Sequence, residues 1–433
     1  MRDVLIVSPH FPPTSAVDMH RVRQSLPHLA EFGWRPSVLA IAPEFVDFGN
    51  DPLLLRTIPA DVDVVRVPAL PSRLTRTVGL GDIALRSLPF LLGAGARMLH
   101  SGGFSLVYFS TTAFATLTLG RIWKAIYGVP FAIDMQDPWS SDYYRDKPAR
   151  DRPPKYWFSR RLHATLEPWT MKAVDGLISV SPDYLTTLNR RYPWLASKPQ
   201  TVLPFGASES DVDVVRAAPL PNTFFRSGSQ CLNGVYVGRG GRDMERALRI
   251  FFTAFKRGLQ DRPDLFGRVR LYFVGTDYAT GPRATHTVTP VAESIGVASF
   301  VQETPERVPY FEALQLLQDA DFLIVPGSDD PQYTASKIFP FILARKPLLA
   351  VFHRQSSVCR ILEDTHAGTV VSFDIDGSSE QSIDSLTASW SDVLSRLPFV
   401  PTVNWDKFTP FSSYEMTRAQ CALFDKVVAS CSR

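Results

Sequence analysis

Short runs that are apolar on both faces recur along this chain, each separated from the next by a helix-length segment. They fall at residues 4–7, 37–41, 62–67, 106–109, 131–133, 177–180 and 201–203. After a Leu203-Pro204-Phe205-Gly206-Ala207 joint the pattern restarts at 234–238 and continues at 269–274, 321–325, 348–352 and 369–373. A strand buried on both faces reads as a continuous apolar run, because helices must cover both sides of a parallel sheet. The alternation therefore predicts an α/β chain of two consecutive doubly wound, Rossmann-like units. With 433 residues the chain is too long for one ordinary core, which agrees with two domains. The expected limits are 1–205 and 206–400, with a final helix at about 413–429 that could return to the first domain. Helices are expected at about 18–32, 116–127 and 244–256. The last of these places Ala247, Ile250, Phe251 and Ala254 on one face.

The bulk numbers exclude several classes. A net charge of +3 makes no case for nucleic acid. Cys231, Cys359, Cys421 and Cys431 lie far apart without metal-type spacing and suit a reducing compartment. The start is too short for a signal peptide. No window of about 18 uninterrupted apolar residues exists, so no membrane-spanning helix is expected. The expected location is the cytoplasm.

Four segments carry candidate chemistry. The turn Gly238-Arg239-Gly240-Gly241-Arg242-Asp243 follows a strand and opens a helix. Its glycines let backbone approach a phosphate and its two arginines can pair with it. It is not the dinucleotide fingerprint, since Asp243 stands where the third glycine belongs. The second segment runs from Gln332 through Thr334, Ser336 and Lys337 into an apolar helix and a further strand. A cation at a helix start opposes the helix dipole, so Lys337 points to an anion partner. The third and fourth lie at carboxyl ends of strands in the first half, where open α/β sheets bind ligands. They are the loop of His10 and the segment Asp134-Met135-Gln136-Asp137-Pro138-Trp139. A lone loop histidine is more often just a solvated side chain, and with Pro138 the second segment is equally readable as an ordinary turn.

Residues 145–161 hold seven basic side chains against two acids, with aromatic residues interleaved. Such a patch could meet anionic lipid headgroups or a lipid-diphosphate acceptor; it is equally readable as a solvated face. The Asp-x-Asp matches at Asp61/Asp63 and Asp374/Asp376 read as strand-end acids, and no metal site is expected.

Together these pieces resemble the GT-B glycosyltransferases, specifically the family-4-like retaining group. The resemblance is carried by Phe11-Pro12-Pro13 with Arg21, by 131–139, and by Glu167 followed by 173–181. It continues at Val237-Gly238-Arg239 and at Ala335-Ser336-Lys337-Ile338-Phe339. Gln332 and Pro340 stand where the family has a pair of glutamates, the second of which holds the donor ribose. The resemblance implies two Rossmann-like domains facing a central cleft. It implies transfer of a sugar from a nucleoside-diphosphate sugar to an acceptor hydroxyl, retaining and without an obligatory metal or other cofactor. The setting would be cell-surface polysaccharide or glycoconjugate synthesis, with a glycan or lipid-linked acceptor, at the inner face of the membrane. Donor-side residues would be Gly238, Arg239, Gly240, Gly241, Arg242, Gln332, Thr334, Ser336 and Lys337. Acceptor-side residues would be His10, Asp134 and Asp137. Two alternatives stay open: a non-catalytic scaffold of the same fold in a polysaccharide assembly complex, and a sugar-nucleotide epimerase.

Overall fold

A computed structural model describes residues 1–75, 81–140, 156–226, 228, 230–277, 284–330, 336–375 and 377–431. The chain forms two compact units, one of Met1–Gly206 with Ser413–Arg433 and one of Ala207–Ser412.

The first unit is built on seven parallel strands. They are β1 (Arg2–Val7), β2 (Trp34–Ile41), β3 (Asp63–Val67), β4 (Phe104–Ser110), β5 (Phe131–Met135), β6 (Gly176–Ser179) and β7 (Gln200–Val202). Their order is β3-β2-β1-β4-β5-β6-β7, so the chain reverses direction of winding between β1 and β4. Alternate residues feed two cores. Leu5, Val7, Val107, Phe109, Phe131 and Ile133 lie in one; Val4, Ile6, Leu106, Tyr108 and Ala132 lie in the other. That division is the period-2 pleat of a sheet covered on both sides.

The second core also contains the carboxyl-terminal helix Ser413–Cys431, through Met416, Leu423, Phe424 and Val427. Phe424 meets Trp34 and Tyr108 edge-on, at 5.3 and 4.9 Å between ring centroids. Trp34 Nε1 donates to Asp425 and Ser25 Oγ to Gln420. The helix therefore covers one face of the first sheet.

Close helix–sheet packing sets some of the glycines. The helix Thr118–Tyr127 ends at Gly128, whose φ of 72° gives a left-handed stop. Within it, a Cβ on Gly120 would stand 2.4 Å from the Phe131 ring. Gly120→Ala is therefore expected to destabilise the first unit by about 1–3 kcal/mol, measured by denaturant unfolding, because the ring belongs to the core and has nowhere to move.

The second unit holds six parallel strands. They are β8 (Leu232–Val237), β9 (Val269–Val274), β10 (Val301–Thr304), β11 (Phe322–Pro326), β12 (Leu348–His353) and β13 (Thr369–Phe373), in the order β10-β9-β8-β11-β12-β13. Here winding reverses between β8 and β11. One face is covered by the helices Glu245–Asp261 and Glu380–Arg396, where the Phe251 and Phe255 rings lie 5.0 and 5.3 Å from the ring of the buried Trp390.

The expected helix over 18–32 is broken. It consists of a 3₁₀ turn Val17–Met19, a helix His20–Ser25 and a second 3₁₀ turn Leu29–Phe32. Pro27 lacks the N–H needed to continue the ladder. β10 went unread because it is short and half polar, Val301-Gln302-Glu303-Thr304. None of the described helices is long and apolar enough to cross a membrane.

Candidate functional site

In the second unit the loops after β8 and β11 meet at the winding reversal, the position at which open α/β sheets take ligands. Asp329 N donates to Asp243 O at 2.7 Å, tying the two loops together. Lys337 follows Ser336 at the start of the helix Ile338–Leu343. That helix has six residues, so its dipole is a small part of the field. The charge comes from side chains.

The Lys337 ammonium is buried and has no hydrogen-bond partner among the described residues. Burial, with repulsion from Arg239 and Arg307 and partial relief from Asp243, pushes its pKa down to about 7. An amine held this way against two guanidinium groups lacks an anion.

Arg239 is engaged. Its Nη1 and Nη2 reach the two oxygens of Asp243 at 3.0 and 2.5 Å. Burial would raise the Asp243 carboxyl, but the bonds from Arg239 and Ser328 outweigh it and hold the pKa below the usual value. Sequence reasoning gave both Arg239 and Arg242 to a phosphate. In the structure Arg239 has an internal carboxylate partner four residues on, and Arg242 is exposed.

The glycines of this turn are also explained by packing. A Cβ on Gly238 would meet the Tyr236 hydroxyl at 2.8 Å and Lys337 Cδ at 3.4 Å. On Gly240 it would meet Thr287 Oγ1 at 2.0 Å, and on Gly241 the Asp243 carboxylate at 2.4 Å. The turn is thus pressed onto Thr276 and Thr287 rather than left open on all sides. Gln332 and Thr334 lie outside the described residues.

Glu303 is a site element that the sequence reading missed. Its carboxylate accepts from Thr276 Oγ1 at 2.6 Å, from the amides of Thr287 and Thr289 at 2.9 and 2.7 Å, and from Thr289 Oγ1 at 2.8 Å. Burial opposes ionisation there, yet these donors hold the pKa below the ordinary value. Glu303 thereby pins Thr276 and Thr287, against which Gly240 rests. It lies in the strand that was not read as one.

In the first unit the winding reversal brings the His10 loop beside the end of β4. His10 Nδ1 lies 2.9 and 3.0 Å from the oxygens of Asp18. Asp18 Oδ2 also accepts from Thr111 Oγ1, Thr112 N and Thr112 Oγ1 at 2.9, 2.9 and 3.1 Å. Burial works against the Asp18 charge, but the bonds from His10, Thr112 and Thr111 prevail and lower its pKa. Nothing in the sequence marks Asp18, Thr111 or Thr112; the fold brings them together.

Asp134 must be reassigned from the acceptor side. Its side chain is 0% exposed and accepts from Arg21 Nε at 2.6 Å, from Ser110 Oγ at 2.9 Å and from Gln136 Nε2 at 3.0 Å. It is the counter-ion of a buried arginine, not a group that faces an acceptor. Asp137 lies exposed at the same strand end, where partial desolvation by its neighbours and then the charge of Asp18 raise its pKa.

A cavity of about 300 Å³ lies nearby, lined by Trp139, Glu167, Asp183, Tyr184 and Arg191 among others. Arg191 Nη1 holds Glu167 there at 2.8 and 3.1 Å. Of the basic patch, residues 145–155 lie outside the described residues, while Trp157, Arg160 and Arg161 are exposed. No group of three or more potential metal ligands occurs among the described residues.

Two doubly wound parallel sheets, one in each unit, are the architecture of the GT-B fold. The fold has extensive counterparts among solved structures. HepE from Anabaena, solved with UDP and glucose, is 14% identical over 98% of this chain and 99% of its own, with a TM-score of 0.54. A UDP-forming α,α-trehalose-phosphate synthase from Burkholderia xenovorans is 11% identical over 99% of each chain, with a TM-score of 0.58. A glycosyltransferase from Rickettsia africae is 12% identical over 98% of each chain, with a TM-score of 0.52. Residues 20–206 match the model of the glycosyl transferase 4-like domain. Residues 20–206 thus carry a glycosyl transferase 4-like domain, and the chain as a whole has the fold of these structures. No curated protein matches the sequence significantly.

Proposed function

We propose that this glycosyltransferase moves a sugar from a UDP-sugar to an acceptor hydroxyl, the second unit holding the donor and the first the acceptor. The observation that carries the reading is the buried, unpartnered Lys337 ammonium beside Arg239 and Arg307 at the reversal between β8 and β11. A diphosphate supplies the anion that this centre lacks. When the bond from the anomeric carbon to the diphosphate breaks, negative charge grows on the leaving group. Fixed cations in a site shielded from water stabilise that charge more than they stabilise the ground state. A metal is not required, because Lys337 and Arg307 supply the positive charge, joined by Arg239 if it exchanges Asp243 for phosphate. HepE, of the same fold, was solved with UDP-glucose, which supports UDP as the nucleotide. The acceptor is a glycan or lipid-linked sugar of a cell-surface glycoconjugate, with the basic and aromatic patch of 145–161 as the membrane-facing element. Retention of the anomeric configuration is the outcome that the family resemblance favours.

The test is calorimetric titration with UDP, UDP-glucose, GDP and ADP. A dissociation constant on the order of micromolar is expected for UDP and UDP-glucose. Absence of binding by every one of the four overturns the reading.

A further inference from the structure

Resting on the sugar-transfer reading above, we propose that the cavity beside Trp139 is a carbohydrate site. It seats one neutral pyranose ring of the acceptor glycan, next to the unit that carries the reacting hydroxyl. The cavity lies between the helices Tyr156–Met171 and Pro182–Arg191, where Glu167, Tyr184 and Arg191 line it. Trp139 and Asp183 bring it to the carboxyl ends of β5 and β6. With strands about 4.8 Å apart, these ends stand one and two spacings beyond β4 and the winding reversal. A volume of about 300 Å³ is at the small end for ligand pockets, room for one ring rather than a chain.

The polar groups of the cavity select the chemistry of the ligand. Trp139 is 4% exposed, and its Nε1–H is buried without a hydrogen-bond partner among the described residues. An indole can only donate, so what it lacks is an acceptor. Glu167, also buried, can only accept. Arg191 Nη1 lies 2.8 and 3.1 Å from its two oxygens and neutralises it. An ionised carboxylate has about four lone-pair sites, so capacity remains for a further donor. Asp183 adds another acceptor at the exposed rim. A group that satisfies both sides must donate and accept while carrying no charge. A phosphate or carboxylate would accept from the indole, but it has nothing to give Glu167 and is repelled by Asp183. An ammonium could not accept from the indole. A hydroxyl does both, and a sugar ring presents several on neighbouring carbons.

The walls suit the rest of such a ring. Met135, Pro138 and Leu188 supply apolar surface for its C–H groups, the mixture of apolar walls and a few placed polar atoms that small-molecule sites use. Phe114 stacks on one face of the Trp139 indole, with 5.9 Å between centroids and 11° between planes, which sets the plane of the indole and leaves its other face. Arg191 Nη2 also bonds Ser140 O at 3.3 Å. One side chain thus ties both helices to the segment that carries Trp139, so the cavity is built before a ligand arrives.

The experiment titrates the full chain with the methyl glycosides of glucose, mannose, galactose and N-acetylglucosamine, read from the indole N–H signals in ¹H–¹⁵N spectra. The Trp139 signal is identified by its loss in Trp139→Phe. At least one glycoside is expected to move it, with a dissociation constant on the order of millimolar. Trp139→Phe keeps an aromatic ring and removes the donor, and it is expected to weaken that glycoside about tenfold by saturation-transfer NMR. Thr187→Trp, at an exposed position of the lining, is expected to fill the cavity and abolish the transfer signal. Should Trp139→Phe fail to fold, Thr187→Trp alone decides. A Trp139 signal that none of the four glycosides moves overturns the proposal, as does binding within about twofold of the parent in both variants. The titration with UDP tests the transfer reading separately. Should that fail while the glycoside response stands, the sugar site is upheld and only its part in an acceptor site falls.

Discussion

Lys337→Met is expected to weaken UDP-glucose binding at least tenfold while making the free protein more stable. Both effects follow from an ammonium held in a buried place without an anion. Its pKa falls from 10.5 to about 7, first through burial and then through Arg239 and Arg307. A lowered lysine pKa is a cost to the folded state. That cost is fully present below about pH 7 and fades as pH rises toward 10.5. A shift of this size sets a ceiling of about 5 kcal/mol. Relaxation around the site leaves a realised gain for methionine of about 1–2 kcal/mol at pH 7, seen as a higher denaturation midpoint. The advantage of the variant should shrink toward pH 10. Binding runs the other way. A bound diphosphate raises the Lys337 pKa, so between about pH 7 and 9 binding takes up a proton and affinity falls as pH rises. UDP-glucose is the suitable probe, since its diphosphate diester has no proton to lose near neutrality. Calorimetry in buffers of different ionisation enthalpy reads the uptake directly, and it should vanish in the methionine variant. Equal affinity and unchanged proton uptake in Lys337→Met would remove the lysine from the donor site.

Arg21→Met is expected to be the most damaging single change in the first unit, costing about 3–5 kcal/mol in chemical denaturation. Arg21 and the Asp134 side chain are both 0% exposed. The guanidinium bonds Asp134 at 2.6 Å, Leu203 O at 2.6 Å and Pro204 O at 3.3 Å, and its Cζ lies 4.9 Å from the Phe205 ring. One side chain therefore joins the helix His20–Ser25, the end of β5 and the last residues of the unit. Removing it leaves a buried carboxylate whose remaining partners are the neutral Ser110 and Gln136. The double change Arg21→Met with Asp134→Leu should recover much of the loss. It removes the stranded charge, and Gln136 Nε2 keeps its bond to Ser110 Oγ at 2.9 Å. If the double variant is as unstable as the single one, the cost lies in the lost backbone contacts rather than in the uncompensated charge.

These two residues show where sequence and structure part. Lys337 was legible as a candidate because a cation opening a helix contradicts its local electrostatics, and that is visible in a few neighbouring positions. Arg21 was legible only by resemblance, and Asp134 was read as a ligand group. A strand-end Asp looks the same in sequence whether it faces a ligand or a buried arginine 113 positions away. The same holds for Asp18 and Glu303, each made significant by partners on other strands. The short and partly polar β10 was missed for a different reason: four residues at a sheet edge carry too little apolar signal to stand out.

The alternation of two-faced apolar runs with helix-length segments determined the α/β class, the two sheets and the segments that end at their carboxyl edges, because pleat and helix periodicities are local properties of the chain. Which charges meet was decided only by tertiary structure. Parallel crossovers bring residues tens to hundreds of positions apart to within about 3 Å, and whether a carboxylate finds an arginine, a histidine or a row of amides there depends on strand order rather than on neighbours in sequence.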